Sequence, residues 1–346
     1  MTENDWSPLS AQEWDGAVLA GGGHFLQSWR WGEFKSRFGW GVERASITSG
    51  NKVALAQILF KERGPVSVGY IPRGPVIPTG ESALATELMR NVDLASKRRH
   101  ALYTILEADG KLPFAGKYKE HGFVTGPEHV QPGRTVKIPL LDDDALLKQM
   151  RQNTRYSVRL AMRRGVRIVR CGGGYGIEDF YRLLIETSDR NDFGIHSRQY
   201  YRDFVETFGD DALCIFAESD DNLAAGLIAV KFGPEAIYMY GASSAAHRSH
   251  GAAFLLQFEA MRWAREAGCE RYDLWGIPDV DPESVSTDAG DEIAGTKGDD
   301  WRGLYRFKTG FGGEIVSYPP VLERRYSPVG SFVVRQMTRR RRGSDT

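Results

Sequence analysis

The spacing of apolar residues along the chain predicts two successive series of helices and strands. In the first series, helical spacing predicts helices over residues 9–19, 25–38 and 82–99. Strands are predicted over residues 44–47, 52–61, 66–75 and 101–107, the third of them ending in a loop punctuated by Pro and Gly. This order of helix, strands, helix and late buried strand is that of one α/β unit.

The second series repeats this order. Helices are predicted over residues 142–164, 177–187 and 198–208, and strands over 166–170, 212–219 and 224–232. An alternating aromatic strand near residue 237 then leads through a loop into a long amphipathic helix, and a last strand follows at 271–277. We therefore expect a duplicated α/β fold of the α+β type, with mixed sheets flanked by helices, although no repeat is visible in the sequence itself.

Length and composition indicate a soluble globular protein of two ordinary domains. The chain has 346 residues, of which 41% are apolar and 26% are charged. Its 45 basic and 45 acidic residues cancel, so no overall field attracts nucleic acid or membrane. Any anion-binding surface must therefore be local.

Cysteine usage and hydropathy indicate the compartment. The three cysteines lie far apart, and no C-x-x-C or Cys/His cluster indicates a metal site or a disulfide framework, which favours a reducing cytoplasm. The first ten residues are polar and acidic, unlike a signal peptide, and no apolar run approaches the roughly 18 residues that span a bilayer. We expect a cytoplasmic protein, or one that touches a membrane only from outside.

One segment of the second series is strongly basic. Residues 148–170 contain eight basic residues and no acidic one. Four arginines recur every four positions, so that a helix would place them in one stripe: Arg151, Arg155, Arg159 and Arg163. This stripe is either a solvated face or a surface for the phosphates of RNA or of lipid headgroups.

Two later segments are also biased in composition. Residues 339–342 form a second basic cluster, which is either a disordered end or a contact with a membrane surface. Residues 279–300 are rich in Asp, Gly and Ser and are expected to form a mobile loop.

A short motif precedes the long helix of the second series. Arg248-Ser-His-Gly251-Ala-Ala253 fits the R/Q-x-x-G-x-G/A pattern with which GNAT-type acyltransferases bind a pyrophosphate. Small residues suit this role because backbone N–H groups must approach the anion closely at a helix N-terminus, where the helix dipole also favours negative charge. Arg248 and Gly251 are therefore candidates for phosphate binding, and an ordinary helix cap is the alternative.

Longer motifs along the chain carry a resemblance to one family. They are Phe25-Leu-Gln-Ser-Trp29, Tyr70-Ile-Pro-Arg-Gly-Pro75, Asn153-Thr-Arg-Tyr-Ser157, Glu186-Thr-Ser-Asp-Arg190, Tyr240-Gly-Ala-Ser-Ser244, Tyr272-Asp-Leu-Trp-Gly276 and Arg306-Phe-Lys-Thr-Gly-Phe-Gly-Gly313. In this order, over nearly the whole chain, they make it resemble the FemABX aminoacyltransferases, which build peptidoglycan interpeptide bridges from aminoacyl-tRNA.

The resemblance implies two GNAT-like domains. Domain 1 would comprise residues 1–145, with residues 318–346 packing back on it, and domain 2 would comprise residues 146–317. Larger members of the family carry a long coiled-coil arm in the second domain. No heptad stretch of that kind is present here, so we expect the compact, FemX-like form without the arm.

The resemblance also implies a reaction. An amine on the stem peptide of a peptidoglycan precursor would attack the aminoacyl ester of a tRNA and form an amide. Because the ester is already activated, no cofactor, ATP or metal is expected. Lys308 matches the family position whose ammonium supports the tetrahedral intermediate, a role that suits a compact positive charge. Phe307 beside it would either stack against substrate or pack in the core.

Basic residues in both domains are candidates for binding the precursor. Lys35 matches a basic position of the family's first domain, and Arg190 ends the Glu186 motif, so both are candidates for the sugar diphosphate. Arg73, in a Pro/Gly loop, is a phosphate candidate by its chemistry alone. Each of these three side chains could equally be a surface ion-pair partner.

Tyrosines and acids complete the set of candidates. Tyr238 and Tyr240 alternate along their strand, so we expect them on one face, lining either the precursor site or the core. Asp109 matches a family acid considered as the base that takes a proton from the incoming ammonium. Asp273 is interpreted as a structural acid that satisfies a turn. The seven histidines form no triad with Ser or Cys, which disfavours covalent catalysis.

Other functions stay open on this pattern. A GNAT-type N-acyltransferase that uses acyl-CoA, or an aminoacyl-tRNA-dependent enzyme of small-metabolite synthesis, would share the Arg248 motif. A non-catalytic module would use the basic stripe to dock RNA or anionic lipid, and it predicts that Lys308→Ala leaves function intact. The acceptor is either a lipid-linked precursor or UDP-MurNAc-pentapeptide. A lipid-linked acceptor would give residues 339–342 a headgroup role in peripheral contact with the inner face of the membrane.

Overall fold

The chain folds into two compact units. The computed structural model describes residues 9–110, 112–191, 193–246, 251–278 and 301–327. Unit 1 comprises the residues up to Gln131 together with those from Tyr318 onward, and unit 2 comprises Pro132–Ser317. The boundary therefore follows Gln131 and not residue 145, because residues 134–139 form a strand that pairs within the sheet of unit 2.

The elements alternate along the chain much as the apolar pattern predicts. The described helices are α1 (Ala11–Ala20), α2 (Trp29–Ser36), α3 (Ser82–Arg98), α4 (Asp143–Gln149), α5 (Gln152–Arg163), α6 (Ile177–Asn191), α7 (Arg198–Phe208), α8 (Ala252–Glu266) and α9 (Trp301–Thr309). The described strands are β1 (Gly41–Ser49), β2 (Lys52–Arg63), β3 (Val66–Pro72), β4 (Ala101–Glu107), β5 (Phe123–Thr125), β6 (Arg134–Pro139), β7 (Arg167–Arg170), β8 (Ala212–Ser219), β9 (Asn222–Phe232), β10 (Glu235–Ser243), β11 (Arg271–Ile277), β12 (Glu314–Ser317) and β13 (Leu322–Arg325). None of the described helices combines the length and apolar character needed to cross a bilayer.

Unit 1 is built on a six-stranded mixed sheet in the order β1-β2-β3-β4-β13-β5. Strands β3 and β4 are parallel, and the other neighbours are antiparallel. Helix α3 packs on β1 and β2 through Leu84, Leu88 and Val92, which recur every four residues and are buried. Burial of each such side chain contributes about 1.5–3 kcal/mol, so the spacing that predicts the helix also explains its docking.

Unit 2 is built on a seven-stranded mixed sheet in the order β12-β6-β11-β10-β9-β8-β7, in which β10 and β11 are parallel. Helices α5 and α8 pack against each other, and Val158, Leu255 and Met261 from these helices join one apolar core with the sheet. Edge strand β7 pairs with β8 alone among the described strands. The mixed sheets and flanking helices are those expected from the sequence.

Two predicted helices are each interrupted. The pattern at residues 25–38 forms a short 3₁₀ turn at Phe25–Gln27 and then α2, because Ser28 adopts an extended backbone and caps α2 by accepting from Trp31 N. The pattern at 142–164 forms α4 and α5, since the backbone is extended at Met150 and Arg151. Arg151 therefore precedes α5 instead of lying on its face.

Candidate functional site

Lys308 lies in the last turn of α9 with 6% of its surface exposed. Its Nζ donates a hydrogen bond to the carbonyl oxygen of Gly276 at 2.7 Å and lies 5.3 Å from the centre of the Tyr238 ring. A cation over an aromatic face is stabilised by the ring quadrupole. Two residues chosen from the sequence, Lys308 and Tyr238, are thus brought together in unit 2.

A bulge in β11 presents the carbonyl group that Lys308 contacts. The register of β11 against β6 shifts between Asp273 and Gly276, and Trp275 adopts a left-handed backbone with φ +59°. The fully buried Asp273 carboxylate stabilises this bulge because its Oδ1 accepts from Trp275 N at 2.7 Å and from the Thr135 hydroxyl. Asp273 therefore satisfies a turn, as predicted, and the turn places Gly276 O beside Lys308.

The electrostatic balance around Lys308 favours an ammonium that loses its proton easily. Burial lowers the pKa of Lys308 from 10.5 to about 7, and the nearby Asp273 carboxylate opposes this shift. A second lysine, Lys137, forms an ion pair with Glu235 at 2.8 Å and lies 3.7 Å from Asp273 Oδ2. The site can therefore hold either a positive charge that stabilises an oxyanion or a neutral amine that accepts a proton.

A glycine after α9 lets the Lys308 helix pack closely on α5. A Cβ at Gly310 would lie 2.2 Å from Thr154 Oγ1, and the carbonyl of Gly310 accepts from Arg151 N at 2.8 Å. The Asn153 and Arg306 motifs, far apart in sequence, therefore meet here. Their contact anchors the helix that carries Lys308.

Phe307 belongs to an aromatic cluster. Its ring lies 4.9 Å from that of Phe254 and 5.3 Å from that of Phe311, with edge-to-face geometry in both pairs. The side chain is partly buried against the core of unit 2. Of the two roles weighed for Phe307, packing is the one these contacts describe, and a stacking contact with substrate stays a prediction.

Tyr238 and Tyr240 face opposite sides of β10, so the prediction of a shared face is wrong. The register against β9 shifts between them: Tyr238 pairs with Ala229 and Tyr240 with its neighbour Ile228. One extra residue in a strand reverses the alternation of side chains. Tyr238 consequently lies near Lys308, where burial raises its pKa to about 12, while Tyr240 lies elsewhere.

Tyr240 is surrounded by aromatic side chains of α7. Its ring lies 6.4 Å from Tyr200, 5.0 Å from Tyr201 and 5.4 Å from Phe204, nearly perpendicular to each. Of the two roles considered for the tyrosines, lining the precursor site or packing in the core, these contacts describe core packing for Tyr240. The bulge has no signature in the sequence because aromatic alternation is equally compatible with a regular strand.

Arg190 holds the end of β10. Its Nη2 donates to the carbonyl and hydroxyl oxygens of Ser243 at 3.1 and 3.4 Å. From the same helix, Thr187 Oγ1 accepts from Ser243 N at 3.0 Å and Glu186 accepts from Ala245 N at 2.7 Å. We refer to Glu186, Thr187 and Arg190 as the α6 clamp. It fixes the strand end that leads into the Arg248 motif, a positioning role that sequence reasoning missed although the Glu186 motif contains all three residues.

The Arg248 motif is described only from Gly251 onward, and Arg248 lies outside the described residues. Gly251 precedes α8 with φ +73°, and a Cβ there would lie 2.4 Å from the carbonyl oxygen of Ser157 in α5. Both the backbone conformation and the close helix approach require glycine at this position. A phosphate contact at Gly251 stays a prediction, since helix packing alone accounts for the residue.

The arginine stripe is divided among different environments. Arg151 precedes α5, and Arg155 Nη1 contacts the carbonyl oxygens of Leu147 and Lys148 at the end of α4, at 3.5 and 3.4 Å. Arg159 and Arg163 are exposed, and the Arg163 guanidinium lies 5.7 Å from the Tyr156 ring centre. The prediction of one continuous stripe of four arginines on a helix is therefore wrong. On α5 itself the exposed arginines of the stripe are Arg159 and Arg163, and Tyr156 is exposed beside them. Residues 279–300 and 339–342 lie outside the described residues.

In unit 1, Lys35 lies among aromatic rings. Its Nζ is 5.4 Å from the Trp31 ring centre and 5.5 Å from that of Trp40. The Nζ of Lys61 also lies close to Trp40, 5.3 Å from its ring centre. Burial, together with the positive charge of Lys61, lowers the pKa of Lys35 from 10.5 to about 8. Two cations gathered at one indole form a surface that favours an anion.

Arg73 is 1% exposed, and its guanidinium stacks 3.3 Å above the Tyr318 ring centre. It also has a left-handed backbone, with φ +49°. This environment differs from the open Pro/Gly loop expected from the sequence, so a phosphate contact at Arg73 stays a prediction.

Asp109 is partly buried just beyond the end of β4. The buried Glu107 at that end, which was not singled out, accepts from Tyr70 OH and from Gln131 N.

Two family models match the chain. Residues 11–108 match the FemAB family, and residues 148–283 match the acetyltransferase (GNAT) domain. The first match lies within unit 1 and the second within unit 2. Each unit thus matches a family model of its own.

Relatives align along most of the chain. A lipid II:glycine glycyltransferase of Staphylococcus haemolyticus is 22% identical over 373 residues, covering 83% of this chain and 89% of the relative. Among solved structures, that of FemX matches with a TM-score of 0.80 and 21% identity, over 94% of this chain and 98% of the other. A tandem GNAT protein from the clavulanic acid biosynthesis pathway matches with a TM-score of 0.52 and 13% identity, over 84% of each chain. The two structures show the predicted fold of two GNAT-like units, and the FemAB family model and the relatives bear out the resemblance to the FemABX family.

Proposed function

We propose that the protein transfers an amino acid from aminoacyl-tRNA to the stem peptide of a peptidoglycan precursor. Its relatives are named lipid II:glycine glycyltransferases, which confirms the prediction of an acyltransferase that forms an amide bond. The observation that carries the proposal is the buried Lys308, whose ammonium is held by Gly276 O and Tyr238. The tRNA donor and the form of the precursor rest on the sequence resemblance and on the charged surfaces described above.

The chemistry requires a positive charge where the ester oxygen becomes negative. The amine nitrogen attacks the ester carbonyl carbon, and a tetrahedral intermediate with a negative oxygen forms. The C–O bond to the ribose then breaks, and the ribose oxygen leaves as a hydroxyl with the proton that the amine gives up. A charge placed in a water-poor site stabilises such an oxyanion strongly; loss of one donor typically costs 10²–10³ in rate. Lys308 is buried and already paired with neutral groups, so it needs little rearrangement to act in this way. No cofactor or metal enters the reaction.

The anionic substrates call for basic surfaces in both units. For the precursor diphosphate we propose the surface of unit 1 at Lys35, where Lys61 adds a second charge. A phosphate contact at Arg190 of the α6 clamp stays a prediction. For the tRNA backbone we propose the exposed face of α5 with Arg159 and Arg163. Tyr156 is 58% exposed on the same face and offers a ring on which a base can stack.

The experiment is a transfer assay read by mass spectrometry. The purified protein is mixed with charged tRNA from a bulk pool and with either UDP-MurNAc-pentapeptide or the lipid-linked precursor, with and without ribonuclease. A ribonuclease-sensitive mass gain identifies the amino acid and the acceptor together. Lys308→Met should lose the gain, whereas Lys231→Met, a matched control at a partly exposed lysine of β9, should retain it. Transfer by Lys308→Met at the wild-type rate would refute the role of this residue.

One competing function is favoured by the GNAT domain match. If the protein uses acyl-CoA, a parallel reaction with acetyl-CoA and the same acceptors, without tRNA, should show acetyl transfer that resists ribonuclease. Acetyl transfer together with no tRNA-dependent gain on either precursor would replace the proposal with this one.

A further inference from the structure

Two cysteines of unit 2 face each other across neighbouring strands. In the antiparallel register of β7 and β8, Arg170 pairs with Ile215, so the next residues along, Cys171 and Cys214, lie opposite. The amide nitrogen of Cys171 donates to the carbonyl oxygen of Cys214 at 2.9 Å, which continues the ladder by one step. Opposed residues joined by such a backbone hydrogen bond have Cα atoms about 5.5 Å apart, and disulfides span Cα separations of about 4.4–6.8 Å.

The strand end allows the small approach that a disulfide needs. Opposed Cβ atoms lie about 4.5–5.5 Å apart, and a disulfide needs about 3.5–4.5 Å. Cys171 is the last paired residue before a turn of three glycines, residues 172–174, and β7 is an edge strand of the described sheet. A shift of about 1–2 Å can therefore be taken up by the end of β7 that leads into Cys171.

The two thiols differ in access and in acidity. Cys171 is partly exposed and Cys214 is buried. A hydrogen bond between the side chains lowers the pKa of Cys171 from 9.0 to about 7 against the effect of burial, and the same bond, together with burial, raises the pKa of Cys214. At neutral pH the accessible sulfur therefore carries much of the thiolate, which is the nucleophile in thiol chemistry.

We propose that Cys171 and Cys214 form an oxidisable dithiol that closes to a cross-strand disulfide on reaction with a peroxide. The Cys171 thiolate attacks one peroxide oxygen; the O–O bond breaks, and hydroxide leaves and takes up a proton. The Cys214 sulfur then attacks the sulfur of the Cys171 sulfenic acid; the S–S bond forms, the S–O bond breaks, and water leaves with the Cys214 proton. Two thiols are oxidised and one peroxide is reduced to two waters.

The test is independent of the transfer reaction. The full-length protein is treated with hydrogen peroxide, alkylated, and digested without reduction; trypsin cleaves between the two cysteines, for example after Arg182 and Arg202. A linked pair of peptides containing Cys171 and Cys214, absent after dithiothreitol, is expected. Cys269→Ser, which removes the buried third cysteine, should leave this link unchanged.

Single variants separate the two steps. Cys214→Ser should stop at a Cys171 sulfenic acid that dimedone traps, and Cys171→Ser should give neither the link nor a dimedone adduct. In the unoxidised protein, alkylation of Cys171 should have a pH midpoint near 7. Linkage only to Cys269 or between two chains, or a dimedone adduct on Cys214 alone, would overturn the proposal.

Discussion

Replacing Lys308 by methionine should make the protein more stable and less active. Methionine keeps the length of the side chain and removes only the ammonium. The pKa of Lys308 falls from 10.5 to about 7 on folding. Burial of the charged ammonium therefore destabilises the folded protein by at most about 5 kcal/mol. The variant also loses the hydrogen bond to Gly276 O and the contact with the Tyr238 ring, which together offset about 1–3 kcal/mol of the stabilisation gained by removing the charge. A net gain of about 2–4 kcal/mol is expected below pH 7.

The gain should depend on pH with a definite sign. Between pH 7 and 10.5 the unfolded chain binds a proton at Lys308 that the folded protein does not, so the wild type becomes more stable as the pH rises, by about 1.4 kcal/mol per pH unit. The variant lacks this slope. Its advantage should therefore be largest at pH 6 and should disappear near pH 9.

The assay is urea denaturation of both proteins at several pH values from 6 to 9, beside the transfer assay. The matched control is Lys137→Met, which removes the partner of Glu235 at 2.8 Å. Because Glu235, which is largely buried, then keeps the longer contact to Arg271 at 3.6 Å in place of this ion pair, the variant should be less stable than wild type by about 1–3 kcal/mol at all these pH values. A Lys308→Met variant that is less stable than wild type at pH 6, or a stability difference that stays constant between pH 7 and 9, would show that folding does not lower the pKa of Lys308.

Three further changes have defined outcomes. Gly251→Ala should cost about 2–4 kcal/mol because its Cβ meets a backbone carbonyl of α5, whereas Gly165→Ala, also at positive φ but in open space, should cost about 1–2 kcal/mol; thermal unfolding of both variants distinguishes clash from backbone strain. Lys61→Gln should raise the pKa of Lys35 above about 8, so that binding of the nucleotide-linked precursor persists to higher pH; an NMR titration of Lys35 and calorimetric binding measure the two effects. Arg155→Met should lower stability by about 1 kcal/mol in urea denaturation through loss of the contacts to the end of α4, and an unchanged midpoint would show that these contacts contribute nothing.

The parts of the fold that follow from local periodicity could be predicted. Helix α7 places Tyr200, Tyr201, Phe204 and Phe208 on one buried face, and this spacing is visible in the sequence. The break between α4 and α5 could not be predicted, because the extended backbone at Met150 and Arg151 depends on contacts such as that from Arg151 N to Gly310 O, made 159 residues away along the chain.

The candidate site was predictable in its residues but not in its arrangement. The motif around Lys308 singles out the lysine, yet its contact with Gly276 O depends on the bulge that Asp273 stabilises in β11. Tyr238 and Tyr240 face opposite sides because of a second bulge, in β10, where the register against β9 shifts. Bulges and buried charges are set by tertiary contacts, and a single sequence does not display them.

The insertion of β13 between β4 and β5 sets an order for synthesis. The ribosome completes all of unit 2 before residues 322–325 emerge, so until then β4 has β3 as a partner on one side and an open edge on the other. An open strand edge attracts other strands, and a nascent chain exposes it for the time needed to translate the intervening residues. The first unit to begin folding is thus the last to be finished, and premature termination ahead of residue 322 would release a chain with an unprotected edge for chaperones or proteases to recognise.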